Sequence, residues 1–198
     1  MNRFALAVLA LLIGQSLFLG AVVFDRVSLL RSENVVTLKT APVDPRDIFR
    51  GDYVILNYDI SRLGTGDLGG DDDFGYDDGI FVELAPDGET WDAVAIWRAP
   101  PVPQEGHLVI RGQVNSIIGA ARPTGIPGED SIPCPDCGTV GVTYGIESYF
   151  VPEGEGRELE NIRNDGKLTV DVALGKDGTP AIKQLRIDGE PVYEEPLF

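Results

Sequence analysis

The chain has 198 residues, with 32 acidic and 16 basic side chains and a net charge of −16. A surface this acidic repels phosphate backbones and anionic lipid head groups, which argues against a nucleic-acid binder, while the same charge aids solubility. One histidine and two cysteines are too few for a zinc ribbon, which needs a second cysteine pair.

In chain order the first element is apolar. Phe4 to Phe24 carries no charge and only two strongly polar side chains, Gln15 and Ser16. At about 1.5 Å per residue such a helix crosses the ~30 Å hydrocarbon layer. A cleaved secretory signal competes with an uncleaved anchor. The apolar run exceeds the usual signal core, and Leu19-Gly20-Ala21 matches the A-x-A cleavage pattern poorly, which favours the anchor. The expected layout is an anchor at 1–24, a juxtamembrane linker at 25–33 and a domain at 34–198. Arg3 before the helix and Arg26 and Arg31 after it, offset by Asp25, give no clear orientation. The three-residue head favours a cytoplasmic N-terminus, so the expectation is a single-pass membrane protein with its domain in the periplasm or at the cell surface.

The domain is long enough to bury one core. A β-prone run, "VVTLKTAPVDP", stops at Pro42 and Pro45. "GIFVELAPDGETWDAVAIWRAP" predicts strands at 80–85 and 90–98 around Pro86-Asp87-Gly88. "HLVIRGQVNSII" and "VGVTYGIESYFVP" predict further strands. "KLTVDVALGKDGTPAIKQLRIDGEPVYEE" predicts two or three more, around Gly175–Gly178 and Asp188-Gly189. One short helix fits "PEGEGRELENIRND", with Leu159 and Ile162 on one face and Asn164 and Gly166 as the stop. The expected fold is mainly β, an antiparallel sandwich or small barrel with one short helix behind a single N-terminal transmembrane helix.

Two segments read as insertions. Residues 64–79, "GTGDLGGDDDFGYDDG", have the composition of a solvated flexible loop that contributes nothing to a core. Tested from Asp71 as an EF-hand, they place Tyr76 where glycine is required and Val82 where glutamate is, so that template fails and weak, geometry-poor cation binding stays open as the lesser alternative to a solvated loop. Residues 119–138 are rich in Pro and Gly and hold Cys134 and Cys137. A local disulfide leads there, with a labile thiol switch or half of an intermolecular metal site left open. No cofactor and no metal site is read from the chain.

The stretch "DPRDIFRGDYVILNYDIS" carries the densest pattern. Asp44, Pro45 and Asp47 suit one capped helical turn, and Gly51 its left-handed close. Val54, Leu56, Tyr58 and Ile60 then line one face of a strand, with Tyr53, Ile55, Asn57 and Asp59 on the other. Arg46, Arg50 and Asp52 fit either an arginine–carboxylate lock or an anion-binding site. "GDYVILNY" resembles, at Gly51, Asp52, Tyr53, Leu56 and Tyr58, the signature of the GDYXXLXY protein family. The resemblance extends to "VDPRDIFR", "YGIESYFVPEGEGRELE" and "IKQLRIDG". It implies a bacterial membrane-anchored protein of no established activity, of a kind often encoded near multispanning membrane proteins. The acidic segment and the Cys-Pro-Asp-Cys loop depart from the family pattern.

"FRGDYVIL" is also similar to a box of type I signal peptidases, which need a serine in a Ser-Met-x-Pro setting and a lysine base. Met1 is the only methionine, and Ser28, Ser32 and Lys39 lack the surrounding motifs. Glutamates 147, 153, 155, 158 and 160 raise the paired acids of a glycosidase, but acids within one local segment do not establish two faces of a cleft. Trp91 and Trp97, at even spacing, are expected on one face of the hairpin. The expected function is an anchored accessory or binding module working with an integral membrane partner, with a divergent or silent signal-peptidase-like hydrolase as the alternative. The candidate site residues are Arg46, Asp47, Arg50, Gly51, Asp52, Tyr53, Leu56 and Tyr58.

Overall fold

The structure is a computed structural model that describes residues 3–42, 53–119, 121–122, 132–133, 138–152 and 156–194. Of the candidate site, Arg46, Asp47, Arg50, Gly51 and Asp52 lie outside the described residues, as do Cys134 and Cys137.

Helix α1 (Arg3–Leu30) contains a stretch, Ala7–Leu30, of 24 residues with mean hydropathy 2.3 that is long and apolar enough to cross a membrane. It runs past Phe24, so residues 25–30, expected as linker, are helical. The reason is packing. Leu30 is only 4% exposed, and a Cβ added at Gly175 would come within 3.4 Å of Leu29 Cδ1. Just beyond, the Ser32 hydroxyl donates to Leu174 O at 2.7 Å, and the Leu174 amide donates to Asn34 O at 2.8 Å.

The strands follow as β1 (Val35–Lys39), β2 (Tyr53–Ile55), β3 (Arg62–Gly64), β4 (Gly69–Gly70), β5 (Gly79–Asp87), β6 (Thr90–Trp97) and β7 (Leu108–Ile118). After them come β8 (Ala121–Arg122), β9 (Ile132–Pro133), β10 (Thr139–Thr143) and β11 (Ser148–Phe150). Helix α2 (Gly156–Asn164) precedes β12 (Leu168–Leu174), β13 (Pro180–Ile187) and β14 (Glu190–Glu194). One sheet runs β3-β10-β7-β5-β6-β4 and curves as a half-barrel. A second runs β1-β12-β13-β14, and β2-β11 and β8-β9 form two-stranded ribbons. All pairings are antiparallel except β4 with β6. The expected mainly-β architecture is the one observed.

Alternation builds the core. Val36 and Leu38 of β1, Ile80, Val82 and Leu84 of β5, Ile110 and Val114 of β7, and Val170, Val172 and Leu174 of β12 all turn inward. The turns carry the residues their geometry demands. Asp188 (φ 50°) and Gly189 (φ 85°) join β13 to β14 as a two-residue hairpin with both central residues left-handed. Helix α2 ends as the sequence predicts. The Gly166 amide (φ 72°) donates to Arg163 O and the Lys167 amide to Ile162 O, the two bonds of a Schellman close.

Two expectations meet corrections. A bulge at Val94 breaks the register of β6, so Trp97 pairs with Phe81 on the outer face while Trp91 pairs with Pro86 and packs against the core. The tryptophans therefore lie on opposite faces. The acidic segment 64–79 does contribute to the core, through buried Phe74, and it pairs Gly69–Gly70 with β6. Arg98, outside that segment, offsets part of its charge. Its amide donates to Asp71 at 2.8 Å, and its guanidinium lies 3.5 Å from both Asp73 and Asp78.

Candidate functional site

The described part of the motif divides into an inner and an outer half. Val54, Leu56, Tyr58 and Ile60 are each 4% exposed or less, as their alternation predicts. Only Tyr53–Ile55 is strand. Tyr58 then bridges Thr40, and Asp59–Ser61 forms a 3-10 turn whose Ser61 hydroxyl accepts the Tyr58 amide at 3.2 Å.

Two tyrosines clasp this turn to the segment before β11. Tyr58 OH donates to Ile146 O at 2.6 Å, and Tyr144 OH donates to Ile60 O at 2.7 Å. Each phenol reaches the carbonyl two residues past the other tyrosine. Burial pushes both phenols well above their ordinary pKa, and the negative charge of Glu147 adds to the shift. Glu147 holds the tight turn between them, accepting the amides of Tyr144 at 2.5 Å and Gly145 at 2.9 Å, while its own carbonyl accepts the Leu56 amide at 2.9 Å. Among the glutamates, then, Glu147 is a backbone clamp.

The sequence reading missed Arg163. Its side chain is 0% exposed in the last turn of α2; Nη1 donates to Ile55 O, and Nε and Nη2 donate to Asn164 Oδ1 at 3.2 and 3.0 Å. Leu159, four residues earlier, shares that buried face, and this i, i+4 spacing was the available signal. Its guanidinium fastens α2 to the motif strand.

In the outer half Tyr53, Ile55 and Asn57 are half-buried and Asp59 is exposed. On the β2–β11 ribbon, Tyr53 pairs with Phe150, ring centroids 6.1 Å apart, and Phe150 is 79% exposed. The motif turn at Asn57–Tyr58 lies by Thr40 and Leu168, at one end of β1 and β12; the α1 junction lies by Leu174, at the other.

Among the described residues no serine and buried lysine form the dyad of a Ser/Lys hydrolase. None of the four lysines is buried, Lys39 lies 3.9 Å from Asp87 at the surface, and the Ser32 hydroxyl is committed to Leu174 O. Among the described residues no group of His, Cys, Asp or Glu is placed to hold a metal ion.

These features define a mainly-β domain carried on a helix fit to anchor it in a membrane. The chain belongs to the GDYXXLXY protein family, whose model matches residues 15–185. Neither a curated protein nor a solved structure matches it.

Proposed function

We propose that the chain is a membrane-anchored, extracytoplasmic accessory module that binds an integral membrane partner through the face around the β2–β11 ribbon. The exposed Phe150 ring, paired with half-buried Tyr53 of the motif, carries this reading. A large aromatic left in water beside a family motif is costly unless something covers it, and aromatic side chains with arginine are the usual anchors of interfaces. On this reading Arg46 and Arg50 face the partner, while Gly51 and Asp52 hold the backbone at the start of the strand. Asp47 belongs to the same turn as a cap. The retained anchor is supported by the last turn of α1 being built into the domain.

Affinity capture from solubilised membranes with the full chain tests this directly, with Phe150→Asp and Arg46→Ala/Arg50→Ala run beside it. The expected result is a membrane protein retained by the parent chain and lost with both variants, each melting as the parent does. Capture unchanged by either variant would remove the ribbon from the account. A C-terminal reporter active only in the cytoplasm would move the domain to the other side of the membrane.

A further inference from the structure

We infer that the proline loop between β6 and β7, Pro100–Pro103, rests in the head-group layer of the bilayer next to the anchor; this rests on α1 being retained as a membrane span. The loop shares one cavity with the anchor junction, whose walls include Asn34, Phe81, Pro100, Pro101, Pro103 and Gly178. Gly178 belongs to the β12–β13 turn that Leu29 packs against at Gly175. That turn is fixed to the other sheet as well. The Arg111 amide donates to Gly178 O at 2.8 Å, and Gly178, at φ 82°, sits so close that a Cβ would meet Arg111 N at 3.1 Å.

Depth follows from the helix. The first charges after the apolar run are Asp25 and Arg26. From Phe24 to Leu30 the helix rises about 9 Å at ~1.5 Å per residue. The polar layer on each side of the hydrocarbon is about 5–7 Å thick. With the helix near the bilayer normal, Leu29 and the turn it holds lie at the outer margin of the head groups, and the proline loop is their neighbour.

The loop's chemistry suits that layer. From Ala99 to Gln104 there is no charged side chain, in a chain of net charge −16. Three prolines in five residues remove three backbone N–H donors that would otherwise lose water on insertion. Val102 is 95% exposed, more than any other large hydrophobic side chain described. The loop also arrives ordered. Glu83, 3% exposed on the outer face of β5, accepts the Gln104 amide at 3.0 Å, His107 Nδ1 at 2.8 Å and Trp97 Nε1 at 3.3 Å. An uncharged, donor-poor and pre-ordered apolar tip is what an acidic domain can lower onto a membrane at less electrostatic cost than its charged surface.

The full chain in phosphatidylcholine nanodiscs, with no partner present, tests the placement. An environment-sensitive fluorescent amino acid replaces Val102, Phe150 or Val23 in turn, and nitroxide lipids quench at shallow or deep positions. The expected result is a blue-shifted probe at 102 quenched by the shallow lipid, a water-like probe at 150, and a probe at 23 quenched by the deep lipid. A probe at 102 as water-like as that at 150, while the one at 23 is quenched, overturns the loop's placement and leaves the anchor standing. A probe at 23 quenched by neither lipid overturns the anchor and this inference together.

Discussion

Tyr58 and Tyr144 show how a motif residue works through a partner far away in sequence. Each phenol satisfies a buried carbonyl, so Tyr58→Phe removes a hydroxyl and leaves Ile146 O without that donor. The expected loss is about 1–3 kcal/mol in denaturant unfolding. Tyr144→Phe should behave alike, and the two together should be non-additive, since both close the same turn. An additive pair would show two independent bonds. The pH dependence lies on the alkaline side. Because the folded phenols are raised, their contribution is full below about pH 10, the unfolded value, and declines as pH rises beyond it. At this scale the sequence revealed that Tyr58 points inward, through its alternation with Val54, Leu56 and Ile60. It did not reveal the receiving carbonyl 88 residues on, nor Arg163, because a buried arginine has the same letter as a solvated one.

Elements were legible wherever local chemistry decides them. The β5–β6 hairpin, the Asp188-Gly189 turn and α2 with its Gly166 stop all follow from short-range rules. The bulge at Val94 does not, and one unpaired residue there reverses the faces of Trp91 and Trp97. The acidic segment misled for a different reason, because the cation that gathers it, Arg98, lies outside the stretch whose composition was weighed. The β6–β7 connection gives a prediction at this scale. Burial raises the Glu83 pKa, but the amide of Gln104 and the side chains of His107 and Trp97 outweigh it and hold the carboxyl below its ordinary value. A depressed carboxyl contributes stability above the unfolded value of about 4.3, and the contribution is lost as pH falls through the folded value. Glu83→Ala strips the acceptor from all three donors and should cost about 1.5–3 kcal/mol, as for bonds to a charged group. The protection factor of the Gln104 amide, its exchange rate relative to the intrinsic rate at the same pH, should fall in the variant, and in the parent at low pH. Unchanged protection would mean that the prolines alone order the loop.

For the whole molecule, the apolar N-terminus and the turn rhythm predicted a helix before a mainly-β domain, and that is the arrangement found. The junction was not legible, since Asp25–Glu33 is polar enough to pass as linker and only the Leu30 site under α1 shows otherwise. A chain beginning at Asp25 should therefore be more stable than one beginning at Asn34. Burial of Leu30 suggests about 2 kcal/mol, read from denaturant midpoints. Equal midpoints would make the helix end a neighbour of the domain rather than part of it. β1 runs from that junction toward the motif turn, extended over its five residues and paired with β12 throughout. Such a strand is already taut at about 3.3 Å per residue. A pull applied near Thr40, where the chain meets Tyr58, reaches the end of α1 along covalent bonds that have no slack to take up, and to shift β1 it must shear the β12 ladder all at once rather than unzip it. The strand is thereby a stiff strut between the motif turn and the end of α1, one that carries tension along its length without first unfolding.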